Sequence, residues 1–301
     1  MKRIRKKVKH LLLKIPLFKN YYQIVTSSGF RPGHYHSTLP DLSEIEHDAD
    51  AIFGEKELAG IDLNTEKQVK LLSEFASFYS DYPYFKESSL RYKKEGAWYR
   101  HSDSVFLYCM MRCFKPEHII EVGSGYSSLV MLDTSELYLN NNVRCTFIEP
   151  FPQRLLENLR EDDKKAHTFI SGKVQSVDLE IFQILDKNDI LFIDSSHVSK
   201  VGSDVNYLLF EVLPSLKPGV LIHIHDIFYP FEMPVQWVLE KHWFWNENYL
   251  LHAFLMNNRN YEIVAFNTYL QKLMPEWFRK EMPECLVRPE SSGSIWIRKL
   301  K

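Results

Sequence analysis

The stretch LFIDSSHVSK, residues 191–200, begins as an apolar strand and then breaks into an acid, hydroxyls and an imidazole, with Asp194 and His197 at its mouth. A strand that is apolar throughout belongs to a sheet covered on both faces. Polar groups just past its carboxyl end sit where open α/β sheets hold their ligands. A second apolar strand closes in the same way, in VLIHIHD, with His225 and Asp226. In a parallel sheet Asp194 and Asp226 share one rim, and two carboxylates beside an imidazole suit a hard divalent cation. His223 shares a strand face with His225 by two-residue alternation. Being mid-strand, it reads as a satisfied core histidine.

A third strand end carries a different chemistry. In IIEVGSGYSSLVML, Gly123 and Gly125 form a turn between strand and helix, where the missing side chains let the backbone approach a ligand. The helix beginning near Ser127 aims its free amide groups into the same space. Glu121 precedes the first glycine. Glu149 closes the next strand in CTFIEP, from where a carboxylate can accept both ribose hydroxyls of a nucleoside. A dinucleotide fingerprint wants a third glycine where Ser128 stands, which argues against NAD.

The elements that must position these groups follow from the rhythm after residue 104. Strands are expected at 118–122, 145–149, 167–170, 189–193, 220–225, 261–266 and 294–298, with helices at 127–139, 153–160, 179–185 and 204–216. Alternating strands and helices imply right-handed βαβ units and a parallel sheet. The last two strands have no clear crossover helix between them, which permits an antiparallel strand at one edge. The fold class expected is therefore α/β, a Rossmann-like doubly wound sheet of about seven strands, mostly parallel with an antiparallel edge strand, plus an N-terminal helical cap. Thr65 and Gln68 read as a capping box opening a helix with Val69, Leu72, Phe75, Ala76 and Tyr79 on one face. The expected division is a basic amphipathic helix over 1–25, a helical or irregular cap over 26–100, and the sheet domain over 101–301.

Of the 301 residues, 45% are hydrophobic and 25% charged, ordinary for a globular protein. A net charge of −2 offers no global field for nucleic acid, and no motif of such a binder is present. The four cysteines form no C-x-x-C pair, so they read as thiols of a reducing, cytoplasmic compartment. The segment 1–19 carries eight lysines and arginines and no acid, with Ile4, Val8, Leu11, Leu12 and Ile15 at helical spacing. That pattern fits either peripheral contact with the inner membrane face or a solvated tail. It is too short and too charged to span a bilayer.

With E-x-G-x-G on one strand, an acid closing the next and a late edge hairpin, the chain resembles the class I S-adenosylmethionine-dependent methyltransferases. Within them, the run from FIDSSHVSK to HIHDIFYPFEMP resembles the bacterial group containing macrolide sugar O-methyltransferases of the macrocin and mycinamicin type. The resemblance covers residues 100–267 and resumes at SSGSIWIRK. It implies S-adenosylmethionine held by Glu121, Gly123, Ser124, Gly125, Tyr126, Glu149, Gln175, Ser176 and Asp194. It also implies Mg2+ or Mn2+ at Asp194, His225 and Asp226, with His197 as base and Asp194 and His225 beside it in catalysis. His225 stands where that group has an acid. Imidazole suits manganese, iron or zinc better than magnesium, so either the metal differs, or water fills the place, or no metal binds and His225 assists catalysis directly.

The implied reaction is methyl transfer to a hydroxyl of a sugar, glycan or related small acceptor, with a metal acidifying the hydroxyl and a histidine taking its proton. The aromatic stretch after residue 226 is where an acceptor pocket would form, and Trp243, Trp245, Asn246 and Glu247 are its candidates. Lys200, Ser203 and Asp204 could touch substrate, although Ser203 or Asp204 as a helix N-cap is the commoner use. The alternative is a non-catalytic nucleotide- or nucleotide-sugar-binding protein on the same fold. The intact set Glu121, Glu149, Asp194, His197 and Asp226 favours the enzyme, and the sequence leaves homo-oligomerisation open.

Overall fold

The structure, a computed structural model, describes residues 14–16, 18, 29–85 and 89–301. The basic segment 1–19 lies outside them except for residues 14–16 and 18, so the amphipathic helix expected there falls outside the described residues. None of the described helices is long and apolar enough to cross a membrane. The chain divides into two compact units, 1–55 with 234–244, and 56–233 with 245–301. The first contains the short helices Leu42–His47, Ala49–Phe53 and Val235–Leu239, and Lys241 lies over the rings of Trp237 and Trp243.

The second unit is built on seven strands: β1 (His118–Val122), β2 (Arg144–Ile148), β3 (Thr168–Ile170), β4 (Ile190–Ile193), β5 (Leu221–His225), β6 (Tyr261–Phe266) and β7 (Ser294–Lys299). Their order is β3-β2-β1-β4-β5-β7-β6. β1 to β5 are parallel, and β7 runs antiparallel between β5 and β6. Because β1, β4 and β5 are adjacent, the turns after them open on one rim.

Alternation along these strands feeds two apolar layers. Ile119, Ile190, Phe192 and Leu221 face one, with α1 (Thr65–Tyr79), α2 (Ser102–Phe114) and α3 (Tyr126–Tyr138). Ile120, Leu191, Ile193, Ile222 and Ile224 face the other, with the helical run over 204–215 and α4 (Glu247–Leu255). Covered on both sides, the strands can be apolar throughout, and polarity is left to their ends.

Three expectations are corrected here. No capping box opens α1, because Asn64 is its N-cap and makes no side-chain cap bond. Gln68 is drawn elsewhere: it donates to the Leu63 carbonyl and accepts from the Phe266 amide, tying α1 to β6. The helix expected over 153–160 is broken into Gln153–Leu156 and Glu161–Ala166. His223 is buried but not satisfied, since neither ring nitrogen has a hydrogen-bond partner. It stacks on Phe192 at 4.0 Å and packs on Trp296, and burial holds its pKa well below the usual imidazole value.

Arg91 ties the segment leading into α2 to two other elements. Its guanidinium grips Asp163 through Nε and Nη2 at 2.8 and 2.7 Å, and its Nη1 reaches Asp133 at 3.0 Å and Glu136 at 2.6 Å. Asp133 is completely buried on α3. Removing the cation that Asp133 and Asp163 share in Arg91→Ala, which leaves only Glu136 with a second arginine, Arg160, is expected to cost about 3 kcal/mol, read as a lowered chemical-denaturation midpoint. Arg91→Lys recovers little of it, because an ammonium cannot reproduce the bidentate fork.

Candidate functional site

At the end of β1 the chain makes its closest approach to β4. Gly123 has φ +88°, and a β-carbon there would stand 1.9 Å from the main-chain oxygen of Asp194. The Asp194 amide donates to the Val122 carbonyl at 2.8 Å, and the Gly123 amide donates to Ile148 at 3.0 Å. Glu121, fully buried, braces the turn from inside: Ser127 donates to one of its oxygens at 2.5 Å and Ser128 to the other. Burial pushes the Glu121 carboxyl up to about 8, against those two hydroxyls. The Ser128 hydroxyl also accepts from the Gly125 amide at 2.9 Å. Ser128, standing where a dinucleotide turn would have glycine, is thus a working part of this one.

Further candidates lie along the same rim. The Ser124 hydroxyl is buried with no protein partner, and Tyr126 opens α3, half-buried. Glu149 follows β2, half-buried, with one oxygen accepting from the Phe151 amide at 2.8 Å, and burial raises its pKa. Gln175 and Ser176 form a single helical turn beyond β3. The Gln175 side chain donates to the Gly202 carbonyl at 2.9 Å.

The ends of β4 and β5 bring four groups together. Donor atoms of Asp194, His197 and His225 all lie within 4.8 Å of one another. His197 Nε2 is 3.3 Å from Asp194 Oδ1 and 3.6 Å from Asp226 Oδ2. His225 Nδ1 is 3.4 Å from Asp194 Oδ1 and 3.6 Å from Asp226 Oδ2. These separations exceed ordinary hydrogen-bond lengths. His225 and Asp226 are buried, and Asp194, with 31% of its side chain open, is the member most accessible to an incoming molecule.

Two carboxylates stand behind the imidazoles. His197 Nδ1 lies 3.0 Å from Glu247 Oε2, which also accepts from the Ser195 hydroxyl at 2.8 Å. His225 Nε2 faces Asp103 Oδ2 at 3.4 Å, while Asp103 Oδ1 accepts from the Asn267 amide at 3.0 Å. Glu247 and Asp103 sit in the first turns of α4 and α2, where helix dipoles favour negative charge.

Burial would lower both histidines, but the surrounding carboxylates outweigh it. Asp194 and Glu247 hold His197 up to about 10, and the charges of Asp226 and Asp194 hold His225 well above its ordinary value. Burial raises Asp226 to about 6, against the two imidazoles, whereas the imidazoles overcome burial at Asp194 and hold it well below the carboxylate range. The surrounding carboxylates thus favour the protonated form of both rings, and an imidazolium has no lone pair with which to accept another proton.

The acceptor-side candidates separate. Glu247 is buried behind His197, and Asn246 is spent on both main-chain polar groups of Ser199. The Trp245 ring lies 4.5 Å from that of His197. Trp243 belongs to the other unit. Ser203 is an N-cap, accepting from the Asn206 amide, and Asp204 holds the Ser196 amide and hydroxyl. Sequence reasoning missed Asp103 altogether. Nothing in HSDSVF marks it, because its partner His225 is more than a hundred residues away along the chain.

A family model described as a methyltransferase domain matches residues 120–227. An uncharacterized protein of Archaeoglobus fulgidus is 33% identical over 168 residues, 54% of this chain and 76% of the relative. Among solved structures, the Streptomyces achromogenes O-methyltransferase TomG, involved in tomaymycin synthesis and solved with S-adenosylmethionine, is 14% identical. The match covers 86% of this chain and 96% of that one, with a TM-score of 0.42. The S-adenosylhomocysteine-bound methyltransferase PaMTH1 of Podospora anserina is 18% identical, over 87% and 98% of the two chains, with a TM-score of 0.42.

The glycine turn gives a paired prediction. Gly123→Ala must displace the Asp194 carbonyl, and is expected to cost about 2 kcal/mol or more in a denaturation experiment and to abolish calorimetric binding of S-adenosylhomocysteine. In Gly125→Ala the new β-carbon would meet only the Arg154 side chain at 3.8 Å, and the stability of the wild type is expected to be kept.

Proposed function

We propose, for a chain that belongs to the S-adenosylmethionine-dependent methyltransferases, methyl transfer to a hydroxyl of a sugar, glycan or related small acceptor. The observation that carries this is the shared rim: the glycine turn, Glu149 and the Asp194–His197–His225–Asp226 cluster belong to adjacent strands, and the Asp194 main chain touches Gly123. A methyl donor seated at the turn would thus place its sulfonium beside polar groups able to activate an oxygen nucleophile.

The backbone of 123–125 and the first amides of α3 receive the methionine end, Ser124 offers its buried hydroxyl, and Glu149 accepts the ribose hydroxyls. Gln175 and Ser176 line the adenine side. The acceptor enters beside Asp194. Its oxygen attacks the methyl carbon in line, its proton passes to a carboxylate of the cluster, and the carbon–sulfur bonding pair stays on sulfur as S-adenosylhomocysteine leaves. The enzyme's largest contribution is holding oxygen, carbon and sulfur in line. A divalent cation fits the oxygen and nitrogen donors of the cluster, including a buried imidazole without a good hydrogen bond, and when bound it would acidify the acceptor hydroxyl.

Titration of S-adenosylhomocysteine into the purified protein tests the cofactor assignment. Glu149→Ala is expected to weaken binding roughly ten- to a hundredfold, the loss of one or two hydrogen bonds to a charged group. Asp194→Asn is expected to bind it still, while losing about a hundredfold or more in transfer of labelled methyl to a panel of sugar and glycan acceptors. Failure of the wild type to bind S-adenosylhomocysteine, with or without Mg2+ or Mn2+, would overturn the assignment.

A further inference from the structure

Each imidazole in the cluster has a carboxylate behind it, hydrogen-bonded at His197 and 3.4 Å away at His225. His197 turns Nδ1 to Glu247 at 3.0 Å and Nε2 toward Asp194 and Asp226. His225 turns Nε2 to Asp103 and Nδ1 toward the same two oxygens. The outer carboxylates are themselves anchored, Glu247 by the Ser195 hydroxyl and Asp103 by the Asn267 amide. A ring whose outer N–H is claimed by a carboxylate presents its other nitrogen as a lone pair. Metal-binding histidines are oriented in this way.

We infer that His197 and His225 are both metal ligands, that Glu247 and Asp103 are the positioning residues fixing their tautomers, and that the site selects a nitrogen-accepting ion over Mg2+. This rests on the methyltransferase reading only for what the metal is used for. The donor set itself is two imidazoles with Asp194 and Asp226, and a cation with this many nitrogen ligands is of the manganese, iron or zinc kind. His197 is then committed through Nε2 and is not the base.

Three buried atoms support the assignment as well. Neither His225 nitrogen makes a hydrogen bond of ordinary geometry, and Asp103 Oδ2 has no partner, although all three are shut away from water. Buried polar groups without partners are costly. A cation between His225 and Asp194 would satisfy the inner nitrogen and draw the outer one onto Asp103.

Electron spin resonance on the full chain loaded with Mn2+ reads this directly. The expected result is pulsed-resonance coupling to imidazole nitrogen that falls to that of a single ring in His225→Asp, and a signal that a large molar excess of Mg2+ does not displace. Glu247→Gln, which keeps a hydrogen-bonding side chain but loses the charge, is expected to weaken Mn2+ binding roughly ten- to a hundredfold while S-adenosylhomocysteine binding, measured in parallel without metal, is kept. Mn2+ bound without nitrogen coupling, ready displacement by Mg2+, or unchanged affinity in Glu247→Gln would overturn the inference. S-adenosylhomocysteine binding with none of these metal signatures leaves methyl transfer standing and removes the metal set. Nitrogen-coupled Mn2+ without S-adenosylhomocysteine binding does the reverse.

Discussion

With no side chain at position 123, the turn after β1 lets the Asp194 carbonyl come to where a β-carbon would stand. The rest of the rim inherits its geometry from that approach. Only glycine adopts φ +88° without strain, so the chain can turn sharply into α3 while the end of β4 lies against it. Glu121 then fills the space beneath, and its bonds to Ser127 and Ser128 fix the first turn of the helix. The cofactor side and the reactive side of the site are therefore not separate constructions. They meet at one glycine and one main-chain carbonyl.

The reactive side is assembled against local preference. His197 has φ 58° and Asp226 has φ 54°, and such left-handed conformations in non-glycine residues cost about 1–3 kcal/mol each. The neighbouring hydrogen bonds show what offsets this. The His197 carbonyl accepts from the Asn246 and Glu247 amides at the start of α4, and its own amide donates to the Ser195 hydroxyl. The Asp226 carbonyl accepts from the Asn248 side chain, one residue into the same helix beyond Glu247. One helix start thus restrains both strained residues and supplies the carboxylate behind His197.

The parts of this arrangement legible in the sequence were those fixed by period or by local chemistry. All seven strands follow from apolar runs bounded by turn residues, and the rim positions of Glu121, Glu149, Asp194 and Asp226 follow from being at strand ends. What escaped was set by long-range contacts. Gln68 reads locally as a capping residue, yet β6 claims its side chain. Glu247 reads as an acceptor-side polar residue, yet folding buries it against His197. Asp103 carries no local signature at all, because its importance exists only once α2 lies over the end of β5. Residue type and spacing reveal the groups that face a ligand. The groups that hold them are identified only by the fold.

The cluster's charge explains why so many carboxylates can be gathered in a place largely closed to water. Asp103, Asp194, Asp226 and Glu247 surround two imidazoles, and like charges at such distances oppose one another unless cations lie between them. Protonating both rings introduces two positive charges among the acids, and the raised proton affinities of His197 and His225 follow from that. One divalent cation between neutral rings introduces the same charge at the same centre. The two states are therefore electrostatic equivalents, exchanging a metal ion for two protons. They differ in what they offer an acceptor hydroxyl: the protonated rings can only donate hydrogen bonds, whereas a metal ion held by the same residues would acidify the hydroxyl and leave a neighbouring carboxylate to take its proton.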